Sequence, residues 1–153
     1  MTSFKSSGIK SNSNIFKKPI IKKPVGISTP LSINEGDDGI LKTNISAVDQ
    51  IKDNFRNLIL TNKGERLGRY DYGCDLRRIV TELNSFENFE SIVMESISNS
   101  TKKYMPMIDL DSFSSEYNND TNQELKNIVI TVVYNIPLLN VNNQKIDITL
   151  YVV

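Results

Sequence analysis

The side chains best placed to make specific contacts or do chemistry crowd into one stretch, Thr61-Asn62-Lys63-Gly64-Glu65-Arg66-Leu67-Gly68-Arg69-Tyr70-Asp71-Tyr72-Gly73-Cys74-Asp75-Leu76. It holds three glycines, two arginines, two tyrosines and three acids. Arg and Tyr are favoured at protein interfaces, and the planar Arg fork suits a carboxylate or backbone carbonyls. Nucleophilic catalysis has little to work with. The chain contains no histidine, which removes Ser–His and Cys–His mechanisms and histidine metal sites together. Its single cysteine, Cys74, cannot form an intrachain disulfide and reads as a small buried hydrophobe suited to a reducing compartment. No cofactor or metal is expected.

Two readings of the stretch compete. In one, Glu65 and Arg66 hold the loop in a fixed shape while Arg66, Arg69 and Tyr70 face a partner. In the other, Glu65 pairs internally with Arg66, Arg69 or Arg77 and only ties the loop down.

The elements that must position this loop follow from periodicity. Ile45, Val48, Ile51, Phe55, Leu58 and Ile59 have helical spacing, predicting a helix over 44–60 capped by Thr43 or Asn44. Gly64 can take the left-handed conformation that ends it. A short helix over 75–83 turns Leu76, Ile79, Val80 and Leu83 inward. A third starts after Asn84 or Ser85 and runs to Tyr104 on a Phe86, Phe89, Val93, Ile97 stripe, with Pro106 closing the helical region.

The remainder alternates with period two. A strand over 108–117 slips phase between Leu110 and Phe113, as a bulge would. Residues 118–122 are turn chemistry. A strand over 128–136 is apolar on both faces and therefore central. Asn142-Asn143 reads as a hairpin turn, and a clean strand over 145–153 turns Ile146, Ile148, Leu150 and Val152 to one side. Helices followed by strands give an α+β domain over 40–153, with three helices on a small three-stranded, mostly antiparallel sheet.

Residues 1–39 read as an extended basic arm, mobile in the free protein and ordered against partners. Residues 1–34 carry six lysines and no acid, whereas 35–153 carry 12 basic and 18 acidic residues, a net of −6. Pro19, Pro24 and Pro30 interrupt the arm, while Ile15, Phe16, Ile20 and Ile21 are possible anchors. A nucleic-acid role for this arm is set aside: its charge is modest, prolines break it, and the acidic body repels a duplex. No apolar run is long enough to span a bilayer, and residues 1–14 lack the apolar stretch of a secretory signal. Cytoplasmic assembly and no membrane partner are expected.

A helix ending in Thr61-x-x-Gly64-Glu65-Arg66, then Tyr70-Asp71-Tyr72-Gly73 and a Leu-bearing short helix, resembles the gene-25-like baseplate family of contractile phage tails. The resemblance spans about residues 40–153. Leu67 follows Arg66 where many relatives carry a proline beside the Arg, so the local turn differs. The resemblance implies a structural wedge subunit, present in multiple copies of a symmetric virion baseplate, that contacts other wedge proteins and starts polymerisation of the tail sheath subunit. A similar protein serves the type VI secretion baseplate.

The family has also borne a lysozyme label, which makes a peptidoglycan-degrading tail enzyme the alternative. That chemistry needs two carboxylates across a cleft, one kept protonated. Glu65 and Asp71 are the candidates. Arg66 beside Glu65 lowers a carboxyl pKa instead of raising it, and tryptophan platforms for sugars are absent. The expectation is therefore no enzyme. The last strand ends without a later element to pair with it, and only Lys145 and Asp147 on it are charged. Its outward residues Asp147, Thr149 and Tyr151 are expected at a strand-addition surface for the sheath.

Overall fold

Phe55, Leu58 and Ile59 recur at helical spacing, and all three are fully buried. They lie on α1 (Ala47–Leu60). The computed structural model describes residues 23–34, 39–82, 88–118 and 126–152. Ser46, not Thr43 or Asn44, caps α1: its backbone is extended and its hydroxyl accepts from the Val48 amide at 3.2 Å. The helix therefore starts later than expected. Ile45 lies outside it and is exposed.

Asn44 is withheld from capping because it belongs to a strand. β1 (Gly26–Ile27) pairs antiparallel with β2 (Thr43–Asn44), and an isolated bridge joins Ile33 to Leu41. This ribbon docks on α1 through polar groups. Asp53 Oδ2 accepts from the Thr29 amide at 2.9 Å and from Asn44 Nδ2 at 2.7 Å. Residues 23–34 of the expected arm are thus folded against the body, and the boundary at 39 falls inside the ribbon. Residues 1–22 lie outside the described residues.

α2 (Leu76–Thr81) and α3 (Phe89–Tyr104) follow. Leu83, Asn84, Ser85 and Phe86, expected at the end of one helix and the start of the next, also lie outside the described residues. Phe89, Val93 and Ile97 of α3 are buried, as are Leu76 and Val80 of α2.

The sheet has the order β3–β4–β5, antiparallel throughout, from β3 (Asp109–Asn118), β4 (Lys126–Ile136) and β5 (Val141–Val152). β4 is central, as its apolar composition requires. Its Ile128, Ile130, Val132, Tyr134 and Ile136 form the core face, joined by Ile146 and Ile148 of β5. Phe55 meets Tyr134 edge-on with ring centroids 4.9 Å apart, locking α1 to the central strand. The register slip in β3 falls between Leu110 and Ser112, where the alternation breaks. Of the turn expected at 118–122, Asn118 is the last residue of β3, and 119–122 lie outside the described residues.

The β4–β5 connection differs from expectation. The chain turns at Pro137–Leu139, a single 3-10 turn, and reverses at Asn140, whose φ is 51°. Proline fixes its own φ and lacks an amide for the ladder, and asparagine tolerates the left-handed region, so the reversal happens there. Asn142 and Asn143 are already within β5, with the Asn143 amide donating to Asn135 Oδ1 at 2.8 Å.

Candidate partner-binding surface

The loop between α1 and α2 is built on the Thr61 carbonyl. That one oxygen accepts from the Cys74 amide at 3.1 Å and the Asp75 amide at 3.4 Å, closing the loop where α1 ends. Gly64 N–H donates to the Tyr70 carbonyl at 2.8 Å, giving the loop a neck. Two serines of α3 hold its far end: Ser100 Oγ donates to the Gly73 carbonyl at 2.8 Å and Ser96 Oγ to that of Cys74 at 2.5 Å. Cys74 is fully buried, and burial pushes its thiol up to about 11, so it is a protonated core residue at neutral pH.

Glu65 is fixed by a neighbour that the sequence reading did not single out. Its carboxylate accepts from the Asn62 amide at 2.9 Å and from Asn62 Nδ2 at 2.7 Å. These bonds, with a smaller contribution from the Arg77 charge, lower its pKa. None of the ion pairs expected for Glu65 with Arg66, Arg69 or Arg77 forms among the described residues. Arg66 instead lies over the Tyr72 ring, its guanidinium carbon 4.3 Å from the centroid. Tyr72 in turn meets Tyr104 edge-on at 4.9 Å. The stack joins the loop to the last turn of α3.

Asp71 completes that junction. Hydrogen bonds from Lys103 and then Tyr104 hold its carboxyl at about 2. Glu65 and Asp71 are thus both held ionised, the reverse of what a proton-donating glycosidase acid needs. Arg69 and Tyr70 are exposed, as is Leu67 at 92%. Asn54, Asn57, Thr61, Glu65, Arg66 and Tyr72 line an open polar cleft of about 380 Å³ beside the loop.

The other expected residues lie on the sheet. Asp147, Thr149 and Tyr151 of β5 are exposed and share its outward row, while Ile146 and Ile148 are buried under the helices. Thr131 Oγ1 donates to Asp147 Oδ1 at 2.8 Å. Among the described residues no strand pairs with the outer side of β5 or of β3. The structure therefore gathers Glu65, Arg66, Arg69 and Tyr70 on the loop and Asp147, Thr149 and Tyr151 on a strand edge. The stacking role of Tyr72 was not anticipated, and Tyr104 and the two serines were not assigned to the site. Ser96 and Ser100 carry a readable signal, since they flank Ile97 on the inward side of α3 at a spacing of one turn.

Among the described residues no group of three or more Cys, Asp or Glu could hold a metal ion, and no helix is long and apolar enough to cross a membrane.

No protein-family model matches the chain, and no curated protein matches it. Solved structures do. A chain of the anti-feeding prophage baseplate, solved by cryo-EM with six-fold symmetry, has a TM-score of 0.59 at 16% identity, covering 72% of this chain and 82% of its own. A crystal structure described as a "putative tail lysozyme" from Geobacter sulfurreducens has a TM-score of 0.53 at 19% identity, covering 69% and 89%. A chain of the type VI secretion baseplate complex overlaps more loosely, with a TM-score of 0.45 at 17% identity over 69% and 93%. At these identities the first two share a fold with this chain. That shared fold is consistent with the gene-25-like resemblance.

Proposed function

We propose that this chain is a non-enzymatic structural subunit of a contractile-tail baseplate. In this reading the Glu65–Tyr70 loop joins it to other wedge proteins, and the edge of β5 that no described strand pairs with receives strands from the first tail sheath subunits. The observation that carries it is the fold shared with a chain of a six-fold symmetrised baseplate, over 72% of this sequence. Assembly in several symmetric copies, in the host cytoplasm and then in the virion tail, belongs to the same proposal. So does the absence of nucleic-acid and membrane partners.

The loop geometry supports the wedge contact. Glu65 directs its acceptors to Asn62, and Arg66 lies over the Tyr72 ring, which holds the guanidinium in place before a partner arrives. A donor fixed in advance loses less freedom on binding. Two ionised carboxylates count against the lysozyme reading.

The experiment has two arms. Arg66→Ala is expected to fold normally and to lower co-purification with assembled baseplates at least tenfold. Unchanged recovery with baseplates overturns the wedge role. The purified wild-type protein is expected to leave peptidoglycan intact. Hydrolysis that Glu65→Gln abolishes would establish the enzyme instead.

A further inference from the structure

The two edges of the sheet are not alike. β3 carries Asp109, Asp111 and Glu116, all exposed, and no cation. Its register slips between Leu110 and Ser112, and Ser115 Oγ donates to Glu90 of α3. Bulges and same-sign charge are devices that keep an edge from taking another strand.

β5 has neither along its regular part. From Gln144 to Val152 it pairs with β4 without a slip. Its outward row runs Lys145, Asp147, Thr149, Tyr151, one cation followed by one anion. Across the ladder these charges face Val133 and Thr131, neither of them charged. Asp147 takes a hydrogen bond from Thr131, and neither it nor Lys145 has an ion pair among the described residues.

We infer that β5 is the single receiving edge and that Lys145 and Asp147 select the incoming strand and set its register. The ligand is an alternating segment of a partner chain. Its inward residues are apolar and sit beside Ile146, Ile148 and Leu150. Its outward residues place a cation opposite Asp147 and an anion opposite Lys145. The inference rests on the strand-addition reading above and names the chemistry of the strand.

The physical reason lies in what alternation can and cannot specify. A slip of one residue turns the apolar row outward and is strongly disfavoured. A slip of two residues restores the alternation, so backbone and apolar pattern alone do not reject it. The charges do. Sliding the strand by two brings its cation opposite Lys145 or its anion opposite Asp147, and like charges directly opposite are destabilising.

The test uses the full chain and two short synthetic peptides that alternate valine with polar residues. One is built to place Lys opposite Asp147 and Glu opposite Lys145 in an antiparallel pairing. The other has these two charges exchanged. Each is titrated against the wild-type protein and against the double variant Lys145→Glu, Asp147→Lys, which keeps the net charge and alters only exposed positions. The first peptide is expected to bind the wild type about tenfold more tightly than the second, and the double variant is expected to reverse the order. Equal binding of both peptides, or a preference that does not reverse, overturns the charge selection and leaves strand addition standing. No binding of either peptide to either protein overturns both.

Discussion

Gly73 lies so close to Thr61 that a Cβ at position 73 would stand 2.2 Å from the Thr61 carbonyl oxygen. Its φ is 109°, a region that L side chains avoid. The same carbonyl receives the two amides that follow, so glycine is what lets the loop close onto α1.

Gly73→Ala is therefore expected to cost about 3 kcal/mol, from backbone strain together with the clash. Chemical denaturation measures it. Gly68→Ala is the control, since at Gly68 the φ is also positive but nothing lies within 4 Å of an added Cβ. A loss at Gly73 no larger than at Gly68 would show that the close approach is unimportant.

Asp71 ties the loop to α3, and its charge state carries a pH dependence. Its folded pKa, about 2, lies below the ordinary 3.8. A depressed carboxyl stabilises the fold above its unfolded pKa and loses that contribution as pH falls from about 3.8 through about 2. Carboxyl titration by NMR is expected to find Asp71 near 2, and Lys103→Ala is expected to bring it back up toward 3.8. A midpoint that Lys103→Ala leaves in place would remove Lys103 as the main cause.

The ribbon of Gly26–Ile27 and Thr43–Asn44 docks on α1 mainly through the Asp53 carboxylate, with longer bonds from Asn44 to Gln50 and from Asn57 to Thr29. Asp53→Ala removes the acceptor of both the Thr29 amide and Asn44 Nδ2. The expected loss is about 1–2 kcal/mol. Hydrogen exchange should quicken at the Val25, Ser28 and Lys42 amides, which pair across the ribbon. Unchanged exchange at those three amides would mean the ribbon holds without Asp53.

Much of this fold is legible in the residues. The stripe Phe55, Leu58, Ile59 fixes α1, and β4 declares itself central by being apolar on both faces. The β3 irregularity shows as a broken alternation at Leu110. Polar side chains with several possible partners are harder to read. Asn44 is as good a helix cap as Ser46 by type, and only the pairing of Thr43–Asn44 with Gly26–Ile27 takes it away from α1. Asn142-Asn143 is ordinary turn chemistry, yet Pro137 and Asn140 reverse the chain first. The loop was recognisable by composition, but its wiring was not. Glu65 has three arginines within reach in sequence, and it chooses Asn62, three residues back.

The outer backbone amides of β5 are where the proposed strand addition can be tested. Adjacent residues of an antiparallel strand turn their amides to opposite sides, so of Thr149 and Leu150 one amide pairs with β4 and the other points outward. Hydrogen exchange on the free protein identifies the unprotected one. Proline placed there removes an outward donor and leaves the β4 ladder in place. Baseplates assembled with that variant are predicted to contain the subunit at normal levels and to grow no sheath. Sheath of normal length on those baseplates would contradict strand addition at β5.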